Sequence, residues 1–219
     1  MARNDEYDYL IRLLALGDQD VGKTTFLYYY TDGKFDPGFT STIGVDFRQK
    51  RIIHRSVDKT DSCLGEEQIL HLQLWDTAGQ ERFRSLCSIF FRDAMGFVLM
   101  FDLTNEESLL NIREWMNILK ANAYCDNPDI ILVGNKADLP RTVTEEAAKK
   151  VAQEFNLPYI ETSGLNGIRV EEAMDKLVNM VMTRIENSIT NYKITNPSHT
   201  IVLKKDKNKS KSDSFCPFC

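Results

Sequence analysis

The segment Gly17-Asp18-Gln19-Asp20-Val21-Gly22-Lys23-Thr24 combines residue types that can bind a polyphosphate. Glycines let a loop wrap its backbone N–H groups around an anion, a lysine supplies a cation for the β- and γ-phosphates, and the next hydroxyl can bind Mg²⁺. The alternative is a glycine turn with a surface lysine. A predicted strand before the segment and a predicted helix after it favour the phosphate loop. The residues expected to contact nucleotide here are Gln19, Asp20, Val21, Gly22, Lys23, Thr24 and Thr25.

A second motif, Asn135-Lys136-Ala137-Asp138, follows a predicted strand at the edge where α/β sheets bind ligands. The Asp138 carboxylate can accept hydrogen bonds from N1–H and the exocyclic amine of guanine. Adenine would present an acceptor at N1 and leave the carboxylate unpaired. Lys136 is expected to pack along the base and Asn135 to brace the loop. Alone the tetrapeptide is weak evidence, but together with the phosphate loop it predicts GTP or GDP.

Between these motifs, two further loops carry residues suited to a γ-phosphate and its metal. Asp76 can hold Mg²⁺ through a water, the Gly79 N–H can contact the γ-phosphate, and Gln80 can orient an attacking water as the catalytic residue. Thr42 is a second hydroxyl for Mg²⁺ besides Thr24. We expect both loops to be ordered only while the γ-phosphate is present.

Apolar runs of strand length alternate with segments of helical period, which predicts an α/β fold with a mainly parallel sheet and helices on both faces. The second and third strands have no helix between them and are expected to form an antiparallel hairpin at one edge. The strands are predicted at 9–16, 45–55, 69–75, 96–101, 129–133 and 159–161, and the helices at 25–30, 107–122, 144–155 and 169–187.

Composition narrows the possible functions. The 219 residues are 42% hydrophobic and 27% charged, which is typical of one soluble globular domain with a modest tail. No apolar run approaches a bilayer span and the first residues are polar, so a cytosolic protein is expected. The five Cys and three His show neither a disulfide framework nor a His/Cys metal spacing.

Charge is unevenly distributed. Of the formal charge of −5, the segment from residue 188 contributes +4 through six Lys and two Asp, leaving −9 for the rest. An acidic body disfavours nucleic acid, whereas a basic tail suits an anionic membrane surface. We therefore predict a domain over 1–187 and a flexible basic tail over 188–219 that ends in Cys216-Pro217-Phe218-Cys219. Redox or metal chemistry at this cysteine pair is the alternative, but no predicted strand or helix frames it.

These motifs together resemble the Rab family of Ras-superfamily small GTPases over residues 8–187. The strings that carry the resemblance are Ile43-Gly44-Val45-Asp46-Phe47, residues 75–83 and Phe90-Phe91-Arg92-Asp93-Ala94. Four segments resemble, more narrowly, the secretory-granule and melanosome Rab subfamily, Rab twenty-seven. They are residues 5–16, the long polar hairpin loop, residues 90–97 and Ala123-Tyr124-Cys125-Asp126-Asn127-Pro128. The resemblance implies a P-loop small G domain whose six-stranded sheet has one antiparallel edge strand.

The resemblance also implies roles and partners. Phe35 would pack beside the base, and the segment containing Ser163 and Gly164 would offer the guanine carbonyl a backbone N–H. Expected partners are synaptotagmin-like and related tethering effectors, an exchange factor, a GTPase-activating protein, an escort protein and a dissociation inhibitor. The protein would lie on the cytoplasmic face of secretory granules, lysosome-related organelles or other vesicles, with a cytosolic pool. The effector surface maps onto Phe47, Trp75 and Phe90, and prenylation maps onto Cys216 and Cys219.

Three positions within residues 8–187 depart from the Rab pattern, and the two residues between Cys216 and Cys219 depart from the usual Cys-Cys or Cys-X-Cys ending, which leaves open one or two lipids. Gln19 and Asp20 stand where Ser and Gly are usual, and Gly164 stands where Ala is usual. Asp20 would occupy a glycine-favoured backbone conformation and add a negative charge near the phosphates, so faster nucleotide release is expected. Gln19 would obstruct the attacking water or an arginine finger, which predicts slow hydrolysis. Gly164 would still supply the backbone N–H expected to face the guanine carbonyl, but in a more flexible loop.

Two other functions are alternatives to a GTP-hydrolysing switch. Gln19 and Asp20 could turn the protein into a hydrolysis-impaired, GTP-binding membrane scaffold. A P-loop kinase of small molecules lacks a visible phosphate-acceptor pocket. The leading hypothesis is a GTP-hydrolysing switch that recruits effectors to secretory membranes.

Overall fold

The computed structural model describes residues 7–35, 38, 42, 44–55, 67–77, 90–123 and 127–195, with side chains through residue 192. Six strands form one sheet in the order β2-β3-β1-β4-β5-β6, and only the β2–β3 pair is antiparallel. The predicted hairpin and its edge position are therefore confirmed. The strands are Tyr9–Leu16 (β1), Val45–Arg55 (β2), Glu67–Thr77 (β3), Gly96–Asp102 (β4), Asp129–Asn135 (β5) and Tyr159–Glu161 (β6).

Five helices within the described residues cover the two faces of this sheet. They are Lys23–Asp32 (α1), Glu106–Leu110 (α2), Ile112–Asn122 (α3), Glu145–Glu154 (α4) and Val170–Thr195 (α5). One buried cluster lies between the sheet and α1 and α5, and another lies between the sheet and α2, α3 and α4. Every residue of β4 is buried, as expected of a central strand covered on both faces. This core fixes the carboxyl ends of the parallel strands, where the predicted site lies.

The first helix is two residues longer at each end than predicted, and larger differences from the predicted helix boundaries occur at two other places. The predicted helix over 107–122 is two helices that meet at Asn111, whose side-chain amide donates to Asp18 in the loop after β1. The helix predicted to end at residue 187 instead continues to Thr195. It continues because Ile185 is buried in the first cluster and Ile189, four residues on, packs against the same cluster. The domain boundary at residue 187 remains a prediction.

Helix starts follow capping chemistry. The side chain of Thr144 accepts a hydrogen bond from the Ala147 N–H, and Glu145 and Glu146 occupy the first turn of α4. This confirms the start predicted from the sequence. Asn105 caps α2 in the same way by accepting from the Glu107 N–H. Among the described residues, no helix has the length and apolar character needed to cross a bilayer.

Two leucines on the α2–α3 segment provide a matched test of the core. Leu119 is fully buried, whereas Leu110 is 62% exposed. We expect Leu119→Ala to lower the free energy of unfolding by about 2–5 kcal/mol and Leu110→Ala to change it by less than about 0.5 kcal/mol. Urea unfolding followed by circular dichroism at one fixed GDP concentration measures both. Equal effects would contradict the packing described above.

Candidate nucleotide-binding site

Two glycines of the predicted phosphate loop have positive φ angles that other residues rarely adopt. Gly17 has φ +140°, and a Cβ there would overlap the backbone carbonyl of Met100 on β4. Gly22 has φ +93°, and a Cβ there would overlap the side-chain amide of Asn135 at the end of β5. Both positions therefore need glycine for conformation and for space. The loop lies tightly against the ends of two neighbouring strands.

Asp20 also has a left-handed backbone, with φ +61°. This agrees with the expectation that a residue at this position must adopt a glycine-favoured conformation, which Asp tolerates better than most side chains. Gln19 and Asp20 are both exposed, so their side chains are not held in the core. Asp20, which stands where glycine is usual in the Rab pattern, therefore has its carboxylate at the surface of the loop.

Lys23 and Thr24 begin α1 directly after this loop. The Lys23 ammonium is buried and donates to the backbone carbonyls of Gly17, at 2.9 Å, and Asp18, at 2.6 Å. The first turn of α1 contains no acidic residue. The backbone N–H groups at the start of this helix and its positive end therefore reinforce the lysine charge, which is an electrostatic arrangement that favours an anion.

Thr24, Thr42 and Asp76 come together although they lie on three separate segments. The Thr24 hydroxyl donates to Asp76 Oδ2 at 2.5 Å and lies 2.7 Å from the Thr42 hydroxyl, which in turn lies 3.3 Å from the same carboxylate oxygen. Asp76 is 1% exposed, and its Oδ1 has no hydrogen-bond partner among the described residues. Burial raises the pKa of Asp76, against the hydrogen bonds from both threonines and the charge of Lys23. This all-oxygen donor set with a free buried carboxylate oxygen fits Mg²⁺.

Asn135 connects the phosphate loop to the two loops predicted to hold the base. Its Nδ2 donates to the Val21 carbonyl at 2.9 Å, and its Oδ1 accepts from the Thr162 hydroxyl at 3.1 Å and the Gly164 N–H at 3.0 Å. The predicted bracing role of Asn135 matches these contacts. The Gly164 N–H, expected to face the guanine carbonyl, is directed at Asn135 in this arrangement.

The other residues predicted to bind the base lie beside Asn135. Asp138 Oδ1 accepts from the Ser163 hydroxyl at 2.5 Å, and the Lys136 ammonium pairs with Asp102 Oδ2 at 2.7 Å. Phe35 follows α1 and is 39% exposed. Asp102 and Thr162 were missed by sequence reasoning. Asp102 could have been found from the sequence because it is a polar residue at the end of a buried strand, β4.

Gly164 has a packing role that the sequence did not reveal. A Cβ at this position would lie 2.9 Å from the backbone nitrogen of Phe26 in α1. At Gly167, with φ +79°, a Cβ would overlap the ring of Tyr29. The β6–α5 loop therefore packs directly on α1 through both glycines, and close approach explains Gly164 here better than loop flexibility does.

Phe47, Trp75 and Phe90 form one aromatic cluster on the antiparallel edge of the sheet. The ring centroids of Phe47 and Trp75, and those of Trp75 and Phe90, are each 4.9 Å apart. Phe47 is 39% exposed, and the other two rings pack partly against the second core cluster. The structure thus brings all three predicted aromatic residues together. Four other predicted positions, Gly79, Gln80, Cys216 and Cys219, lie outside the described residues.

The family model for the Ras family matches residues 12–183, which is most of the chain and includes every described element of the site. The chain therefore belongs to the Ras family of small GTPases. This confirms the G-domain fold predicted from the phosphate and base motifs. Proteins of this family bind guanine nucleotides and hydrolyse GTP, and this chain is such an enzyme.

Curated relatives of the chain indicate its subfamily within the Ras family. The chain is 58% identical to Ras-related protein Rab-27B of Homo sapiens over 186 residues, covering 84% of this chain and 85% of the relative. It is 55% identical to Ras-related protein Rab-27A of Rattus norvegicus, covering 84% of each. The predicted Rab subfamily is confirmed. The chain is a GTP-binding switch in vesicle and secretory-granule traffic, acting at vesicle-associated membranes with effectors and nucleotide-cycle regulators. Nothing in this relationship supports the hydrolysis-impaired scaffold.

Asp20 generates a prediction about nucleotide retention. Asp20→Gly removes a carboxylate near the phosphates and relieves the left-handed strain, so GDP release should slow by about three- to tenfold. Displacement of a fluorescent GDP analogue by excess GDP measures the rate. Asp20→Asn removes the charge but keeps a side chain tolerant of this backbone, and it separates the two causes. A release half-life that is the same in all three proteins would contradict the prediction, and the effect of charge should shrink as salt is added.

Proposed function

We propose that this GTPase binds guanine nucleotide and Mg²⁺ through the residues gathered at the carboxyl ends of β1, β3 and β5. The supporting observation is the Asn135 side chain, which hydrogen-bonds the phosphate loop on one side and the base loops on the other. The proposed nucleotide-binding residues are Gln19, Asp20, Val21, Gly22, Lys23, Thr24, Thr25, Phe35, Thr42, Gly79, Asn135, Lys136, Asp138, Ser163 and Gly164.

Each part of this site has a distinct task. Lys23 neutralises the β- and γ-phosphates, and its ammonium is already positioned by two loop carbonyls. Thr24 and Thr42 would ligate Mg²⁺ directly, and Asp76 would hold it through a water. The ion, when bound, neutralises charge on the phosphate oxygens. Hydrolysis is assigned to a water oriented by Gln80.

Base selection is assigned to Asp138. Its carboxylate is held next to Ser163, at 2.5 Å between Oδ1 and the hydroxyl, which leaves Oδ2 for the donors on the guanine edge. The half-buried side chain of Lys136, whose ammonium pairs with Asp102, offers its methylene groups as an apolar surface for one face of the purine. Phe35 provides a partly exposed ring for the other edge of the site.

The surface that binds effectors is assigned to the aromatic cluster of Phe47, Trp75 and Phe90. Partly exposed aromatic rings in contact with each other are typical of binding hot spots. Trp75, the central ring of the cluster, lies on β3 next to Asp76, so a partner bound there would be close to the proposed metal site. The partners proposed are tethering effectors of the synaptotagmin-like type on secretory granules, lysosome-related organelles or other vesicles, with an exchange factor, a GTPase-activating protein, an escort protein and a dissociation inhibitor as regulators.

Membrane attachment is assigned to prenyl groups on Cys216 and Cys219, next to the lysines of the tail. One lipid chain gives only reversible binding, whereas two signals give stable anchoring. A prenylated, basic C-terminal segment following an acidic G domain would therefore direct the domain to anionic membranes.

Asp138→Asn tests the assignment of the base. An amide can donate to a carbonyl at C2 but cannot accept both guanine donors, so GDP affinity should fall at least about tenfold while affinity for xanthosine diphosphate rises. Titration calorimetry with both nucleotides measures the change. Asp93→Asn, an exposed surface carboxylate, is the matched control and should leave both affinities unchanged. Retention of the parent preference in Asp138→Asn would refute the assignment.

Mass spectrometry of the protein from eukaryotic cells tests the lipid assignment. We expect isoprenoid on at least one of Cys216 and Cys219 in the parent, with Cys216→Ser and Cys219→Ser showing which of them is modified, and neither lipid nor membrane binding in the double variant. Unmodified cysteines on the membrane-bound parent would remove this proposal and leave the nucleotide site untouched.

A further inference from the structure

The carboxylate of Asp18 is not used by the proposed nucleotide chemistry, although it lies within the phosphate loop. Its Oδ1 accepts from the Trp115 indole N–H at 2.9 Å, and its Oδ2 accepts from the Asn111 side-chain amide at 2.8 Å. Both donors belong to the α2–α3 segment, more than 90 residues along the chain. The two oxygens of one side chain are thus bound by two donors on a different element.

These two donors keep the negative charge of Asp18 away from the phosphate-binding side of the loop. A carboxylate in a loop that binds a polyphosphate would repel the ligand if it faced the phosphates. Hydrogen bonds to a charged acceptor are the stronger kind, and two of them hold this carboxylate towards the helix and away from the loop interior. Asp20, which also lies in the loop, is exposed instead.

The same residue positions the lysine of the loop. The Asp18 backbone carbonyl accepts from the Lys23 ammonium at 2.6 Å, a shorter contact than the one of 2.9 Å to the Gly17 carbonyl. Asp18 is therefore attached to α2–α3 by its side chain and to Lys23 by its main chain. Movement of its side chain would displace the carbonyl that orients Lys23.

The donors are themselves rigidly placed. Trp115 is fully buried in the second core cluster. Asn111 stands at the junction of the two helices, where its backbone N–H donates to the Glu107 carbonyl and its own carbonyl accepts from the Trp115 N–H. The helix interruption that sequence periodicity missed is thus the place from which the amide reaches the phosphate loop.

We infer that Trp115 and Asn111 are positioning residues that hold the phosphate loop, through Asp18, in the conformation that retains nucleotide. The inference rests on the phosphate-binding role proposed above for Lys23. It predicts that loss of either donor accelerates nucleotide release without removing any group that touches the nucleotide.

Release of a fluorescent GDP analogue from the full chain tests the inference. Trp115→Phe removes the indole N–H and keeps an aromatic ring, and Asn111→Ala removes the amide. Each should accelerate release by about tenfold, as expected for loss of a hydrogen bond to a charged group. Asn117→Ala, on the exposed side of α3, is the matched control and should release at the parent rate.

A double-mutant cycle separates positioning from general loosening of the core. In an Asp18→Ala background, Trp115→Phe and Asn111→Ala should add no further acceleration. If they accelerate release equally in both backgrounds, or in neither, the inference is wrong. Asn111 is only partly buried, so its variant keeps the test valid if Trp115→Phe fails to fold. A parent chain that binds no GDP would instead overturn the proposed site.

A spectroscopic measurement reports the contact itself. The chain has two tryptophans, so ¹⁵N-tryptophan protein gives two indole N–H signals, and Trp115→Phe identifies one of them. Asp18→Ala should shift the Trp115 signal to the position of a more weakly hydrogen-bonded indole, whereas Asn117→Ala should leave it in place. An unmoved Trp115 signal in Asp18→Ala would overturn the inference.

Discussion

The buried amide of Asn135 is the contact on which the geometry of the site depends. It is 2% exposed, and its nitrogen and oxygen bind the Val21 carbonyl and the Gly164 N–H, respectively. A buried amide that lost either partner would incur a desolvation penalty, so the phosphate and base loops cannot separate independently. Since Asn135 is the last residue of β5, the central sheet sets the distance between the parts of the site that receive the two ends of a nucleotide.

An acidic protein that binds a polyanion must direct its own carboxylates away from the phosphates. Here three buried or half-buried carboxylates near the site have donors of their own: Asp18 binds Trp115 and Asn111, Asp102 binds Lys136, and Asp76 binds the two threonines. Positive potential comes instead from Lys23 and from the start of α1. Asp20 differs from these carboxylates because its side chain is exposed. For this reason we expect it to influence nucleotide retention.

Strand β3 connects the metal site to the surface. Successive residues of a strand point to opposite faces, so Asp76 faces the two threonines while the adjacent Trp75 faces Phe47 and Phe90. Thr77 then anchors the end of the strand by donating to the Ala15 carbonyl at 2.7 Å. A change in the occupancy of the proposed metal site would therefore act on the same short segment that carries the central aromatic ring.

The sequence by itself determined the parts that depend on local pattern. Glycine spacing located the phosphate loop, near-continuous apolar runs located buried β4 and β5, and the absence of a helix between β2 and β3 predicted the antiparallel edge. Asp76 and Thr42 were predicted to hold Mg²⁺ from their residue types and their loops, and the structure brings their oxygens to 3.3 Å.

Only the tertiary structure decided which distant groups meet. Helical period predicts one helix through residue 111 because a short interruption leaves the apolar spacing nearly unchanged, yet the break places the Asn111 amide against Asp18. The partners of Asp102 and Gly164 depend equally on how loops pack across the sheet edge and onto α1. Such contacts are set by the relative placement of elements far apart in the chain, and local residue order carries no information about that placement.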